Sequence, residues 1–187
     1  MTREEFLSSA GALAAVLPQP SASAPPPLPQ GFTLAAFDAA LATTAKHRHL
    51  FACISDARDA MMAVSHTSDA YREIGVAASD VHAAVVFYHG TAVLSAFDDG
   101  IWTRYVVPSK TLGKRPAGVR ELTAPTFVCN LATHGFASHF AQQLKLDEKA
   151  VYADMVSHLT PPAMLVPAGV WAVHAVEERG YTVLQFS

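Results

Sequence analysis

Five short apolar runs constrain the fold more than any other feature of this chain: HLFACIS (49–55), HAAVVFYHG (82–90), TFVCN (126–130), AMLV (163–166) and YTVLQF (181–186). They lack the regular polar alternation of strands with one wet face, so they read as strands covered on both sides. The segments between them carry helical signals. FTLAAFDAALATT (32–44) spaces Leu34, Phe37 and Leu41 by three and four. DARDAMMAVSHTSDAYREIG (56–75) opens on acidic residues, closes at Gly75, and gathers Met61, Val64, Tyr71 and Ile74 on one side. TAVLSAF (91–97) and IWTRY (101–105) read as a helix broken at Asp98-Asp99-Gly100. Residues 132–146 and 147–159 read as two helices, the second with an acidic first turn as the helix dipole prefers. PAGVWAVHAVEERG (167–180) reads as a helix with Pro167 in its first turn and Gly180 past its end. Strands alternating with helices predict an α/β fold: a single domain with a mainly parallel five-stranded sheet and helices on both faces.

Composition narrows the class of protein. Hydrophobic residues make up 51% and charged residues 16%, enough apolar side chain for a substantial core and too little charge for general disorder. A net charge of −3 gives no basis for a nucleic-acid partner or an anionic membrane surface. Two cysteines make no disulfide framework and show no zinc-ribbon spacing.

The first 30 residues read as a signal-like segment and a Pro-rich linker, with the α/β domain over 31–187. Residues 6–17 are small and apolar but too few to span a bilayer. Ala22-Ser23-Ala24 has the small-x-small form of a signal-peptidase site, and TREEFL is a degenerate twin-arginine-like start with Glu4 in place of an arginine. The expectation is a periplasmic or exported protein without a membrane span; the alternative is a cytoplasmic protein with a vestigial tail. The run from Pro18 to Pro29 favours extended conformations under either reading.

Open parallel sheets bind ligands at the carboxyl ends of their strands. That rule gathers Asp56 and Arg58 after the first strand, His89 and Gly90 after the second, Cys129 and Asn130 at the third, and residues 167–169 after the fourth. His47 and His49 precede the first strand and belong to the opposite edge.

Cys129 stands before a helix start, with Asn130 as the expected N-cap. A thiolate is the nucleophilic form of cysteine, and a helix N-terminus favours it. His89 or His134 could accept the proton. The competing reading is that Cys129 is a small apolar residue closing a strand, as free cysteines often are. Cys53, inside the first strand, reads as core. His134 and His139 are five apart, about 140° around a helix, and do not make a two-ligand metal face. No HExxH ligand set, GxGxxG turn, P-loop or GxSxG elbow occurs, so no metal or nucleotide cofactor is expected.

The order of these segments resembles the DsrE/DsrF-like family, small α/β proteins of sulfur relay. The run LVPAGVWAVHAVEERGYTVLQF (165–186) is similar to the family's closing strand, helix and Gly-Tyr strand. FVCNLATHG resembles its strand-Cys-helix segment, VHAAVVFYHGTAVLSAF its strand and His-Gly turn, and KHRHLFACIS its opening strand. The likeness covers residues 46–186 and is closest to an exported subgroup. It implies homo-oligomers, trimers or multiples of them, and persulfide sulfur carried on the cysteine that matches Cys129. The expectation is therefore a sulfur carrier or sulfurtransferase-like protein serving a thiol or persulfide partner protein. His89 and His134 would tune the thiol, while Gly90, Asn130 and Asp56 would line the site. The alternative is a non-catalytic ligand-binding, metal-binding or assembly module of the same fold.

Overall fold

A computed structural model describes residues 28–29, 31–55, 57–113, 115, 121 and 123–186. The signal-like segment, almost all of the linker and Asp56 lie outside the described residues.

The strands are β1 (His47–Cys53), β2 (Val81–Phe87), β3 (Thr126–Cys129), β4 (Ala163–Val166) and β5 (Thr182–Phe186). All pairings are parallel and the order is β4-β3-β2-β1-β5. Because side chains alternate along a strand, each run supplies both faces. Phe51, Cys53, Val85, Phe87, Val128 and Leu165 enter one apolar layer, while Leu50, Ala52, Ala84, Val86, Phe127 and Val166 enter the other. Both layers are needed, which is why the runs show no polar alternation.

The helices follow from the topology. Helix α1 (Leu34–Leu41) precedes β1, α2 (Ala57–Glu73) joins β1 to β2, and a short α3 (Asp99–Ile101) lies between β2 and β3. Helices α4 (Asn130–Leu144) and α5 (Glu148–Ser157) join β3 to β4, and α6 (Gly169–Glu177) joins β4 to β5. The steps from β1 to β4 all move one way across the sheet, so right-handed crossovers put α2 to α5 on one face. The step from β4 to β5 doubles back and puts α6 on the other, beside α1. The cores agree: Ala60, Phe140 and Met155 belong to one layer, and Phe37, Leu41, Ala172 and Val176 to the other.

Several local expectations shift. The broken helix is a 3-10 segment (Gly90–Ala96), then α3, then a π-helical turn (Trp102–Val106). The break is held by Asp98, whose Oδ1 accepts from the Gly100 and Ile101 amides at 2.8 and 3.3 Å and whose Oδ2 meets His158 Nδ1 at 2.7 Å. Leu34 and Ile74 are 53% and 75% exposed, so neither joins the apolar face that its spacing suggested. Ile74 follows the last residue of α2, where the chain turns away from the sheet; Ala57 and Ala60 make the buried contact instead. Helix α6 starts at Gly169 behind the cap residue Ala168, leaving Pro167 outside it, and on its exposed side His174 lies 3.7 Å from Glu177. No helix among the described residues is long and apolar enough to cross a membrane.

Candidate functional site

Adjacent strands β3 and β4 send their following helices to opposite faces of the sheet, which opens a crevice at their carboxyl ends. Such a switch point is where open α/β sheets place ligands. Cys129 is the last residue of β3 and borders this crevice. Cys129 lines a cavity of about 240 Å³ together with Tyr88, His89, Leu131, Ala168, Gly169 and neighbouring residues.

The cysteine, not Asn130, caps α4. Cys129 has extended backbone, and its Sγ accepts from the Ala132 amide at 3.4 Å. Its carbonyl accepts from the Thr133 hydroxyl at 3.0 Å. Asn130 cannot serve as the cap because its side chain is buried and committed elsewhere: Oδ1 accepts from the Tyr152 hydroxyl at 2.6 Å. Burial pushes the Tyr152 phenol up, and the Asn130 hydrogen bond only partly offsets this, so the phenol keeps the proton it donates.

Helix α6 reaches the same cavity through a glycine that admits nothing larger. A Cβ on Gly169 would stand 1.9 Å from Tyr88 Cβ and 3.1 Å from Cys129 Cβ. Ala168 provides no side-chain cap for this helix. The first residues of α4 and α6 therefore both border the cavity, and the partial positive ends of two helices converge on it. An anionic group in the cavity is favoured by that arrangement. Gly90 serves the neighbouring turn: its φ is +51°, and a Cβ there would meet the Ile54 carbonyl oxygen at 2.2 Å. This close approach fixes the loop that starts at His89.

The predicted site residues thus separate. His89 is exposed and lines the cavity with Cys129. Gly90 shapes the loop behind it. Asn130 points into the α4–α5 contact. His134 is not brought to the thiol: it stacks flat on Tyr152, with ring centroids 3.8 Å apart, beside a different cavity that also touches Glu148 and Lys149. The reason is rotational, since five helical residues beyond Cys129 the side chain has turned about 140°. Cys53 is fully buried in β1, in keeping with its reading as core. Tyr88, Leu131 and Val170 were not singled out from the sequence; their only signal is adjacency to the strand ends and helix starts. Tyr152 had no such signal, because it reaches Asn130 from another helix.

Among the described residues, no group of three or more His, Cys, Asp or Glu side chains is placed to hold a metal ion. What the cavity brings together is one cysteine, one histidine and the starts of two helices. No family model matches the chain, and no curated protein matches it significantly.

Proposed function

We propose that the protein is a DsrE-like sulfur carrier that holds sulfur as a persulfide on Cys129. The observation that carries this reading is that Cys129 borders a cavity at the sheet's switch point, between the starts of α4 and α6 and beside His89. In the forward step the Cys129 thiolate attacks the outer sulfur of a donor persulfide, R–S–SH. A new S–S bond forms at Cys129, the donor's S–S bond breaks, and R–S⁻ leaves and takes up a proton. In the return step an acceptor thiolate attacks the outer sulfur on Cys129, which leaves as thiolate. The exchange is redox-neutral and needs no cofactor. His89 is the group placed to exchange protons with solvent, and the converging helix ends favour the anionic persulfide. The reading extends to an exported protein that assembles as a homo-oligomer, a trimer or a multiple of one, and meets a thiol or persulfide partner protein.

One observation favours the alternative of a binding module without chemistry. Cys129 is only 4% exposed, and its sulfur already serves as a helix cap. Incubation of reduced protein with a polysulfide donor, followed by intact mass measurement, separates the two. The carrier reading expects a gain of one sulfur atom that Cys129→Ser abolishes and Cys53→Ser retains. A wild-type protein that gains no sulfur is a binding module.

A further inference from the structure

Helix α4 contains a glycine that its own structure does not require. Gly135 lies in the interior of α4, where glycine costs about 1 kcal/mol relative to alanine. Its φ lies outside the left-handed region, and a Cβ built on it meets nothing within 4 Å. Neither close packing nor backbone strain explains it. Gly135 is exposed, and with Thr111, Ala132, Phe136 and His139 it lines an apolar cavity of about 360 Å³ that is wide open to solvent. Four of these are the i, i+3, i+4 and i+7 positions of one face of α4. The volume falls in the range of small-molecule sites, about 300–1,000 Å³.

This cavity is tied to the sulfur site through one residue. Ala132 lines both cavities, and its amide is the group bonded to Cys129 Sγ at 3.4 Å. Its polar content is small and mostly spent. The Thr111 hydroxyl lies 2.7 Å from Ser109 Oγ and 2.9 Å from His139 Nε2, which leaves His139 Nδ1 as the ring's remaining polar atom. A charged or heavily hydroxylated ligand would lose more water contacts than such a wall returns.

Resting on the carrier reading above, we propose that the face around Gly135 is the subsite for a second sulfur donor or acceptor besides the partner protein, and that this one is an apolar, preferably aromatic, low-molecular-weight thiol. The ring would lie against Phe136 over the gap at Gly135, and its sulfur would pass Ala132 toward Cys129.

Benzyl methyl sulfide, a thioether with no transferable sulfur, is the probe, titrated into the isotopically labelled full-length chain while backbone amide shifts are followed. The expected result is saturable shifts centred on Ala132, Gly135, Phe136 and His139, in wild type and in Cys129→Ser alike. Gly135→Leu should weaken this binding at least about tenfold, the equivalent of 1.4 kcal/mol. It should not lower the melting temperature, because leucine is the better helix former and its Cβ meets no neighbour. Absence of saturation in wild type overturns the proposal, and so does unchanged affinity in Gly135→Leu. A Gly135→Leu chain of altered oligomeric size with unchanged thioether binding also overturns it, since the face is then a contact between copies. Thioether binding without sulfur loading of Cys129 sinks the carrier reading and keeps an apolar-ligand site; loading without thioether binding does the reverse.

Discussion

At the amino end of the sheet, His49 Nε2 lies 3.1 Å from the Tyr71 hydroxyl, and His47 packs on the same ring at 4.5 Å. His82 Nδ1 lies 2.7 Å from the Tyr181 hydroxyl, and Lys46 pairs with Asp80 at 3.1 Å. At the carboxyl end, by contrast, His89 is exposed and packs on the Tyr88 ring, and Cys129 borders a cavity. One end has matched its polar side chains to each other; the other has matched side chains to backbone groups beside a gap. Satisfied polar pairs hold a single geometry, whereas a gap rimmed by helix starts is what a ligand can fill. Histidine count alone therefore misleads, and whether the ring already has a partner decides its role.

The sharpest way to break this contrast is at Gly169. Gly169→Ala drives a Cβ to 1.9 Å from Tyr88 Cβ, so α6 must retreat from β2 and β3. Overpacking of this kind costs about 3 kcal/mol, the largest effect expected here. Urea denaturation should show it as a large fall in midpoint, together with loss of sulfur uptake. A loss below about 1 kcal/mol would mean that α6 does not seat on Cys129 as closely as described.

A smaller effect is expected from Tyr181→Phe at the amino end. The hydroxyl is buried; it donates to the Leu41 carbonyl at 3.1 Å, which leaves a lone pair to meet His82 Nδ1. Removing it strands that carbonyl and should destabilise the fold by about 1–2 kcal/mol. Sulfur uptake at Cys129, measured by mass on the folded variant, should be unchanged. Loss of uptake without loss of stability would place this end in the site and erase the division.

These differences bear on what the residues revealed before folding was considered. The strands were readable because Phe51, Val85 and Val128 sit in runs apolar on both faces, and an all-parallel sheet needs such runs. The shared edge of His89, Cys129 and Gly169 followed from the strand ends alone. The helix cap was misplaced by one residue because Asn130 is the stronger capping type, and only Tyr152, 22 residues onward, removes it from that role. His134 was misassigned for the same reason: its partner ring comes from α5, and no local spacing announces a contact between helices. Gly135 carries no signal in the sequence, because a mid-helix glycine reads as tolerance until its surroundings are known.

The smallest effect separates the two ends by acid. Burial first, and then the charge of Arg48, lowers the His82 pKa below its ordinary 6.5. Burial and the His47 charge lower that of His49 in the same way. The unfolded chain thus binds protons at a higher pH than the folded one. The stabilising contribution of these neutral rings is complete above pH 6.5, declines as the pH falls through the folded values, and then levels off. Asp98 adds a separate window at lower pH. Burial raises its carboxyl, but the His158 hydrogen bond and the Ile101 and Gly100 amides outweigh this and hold it below 3.8, so its contribution is lost only as the pH drops through that lower value. Urea midpoints between pH 8 and pH 5 should fall, and the double variant His82→Asn, His49→Gln, which keeps a nitrogen near each tyrosine hydroxyl, should flatten that fall. Midpoints that stay level or rise on acidification would refute the assignment. If the amino end is purely structural, the double variant still loads sulfur on Cys129 at neutral pH, because nothing it alters borders the cavity that His89 shares with that cysteine.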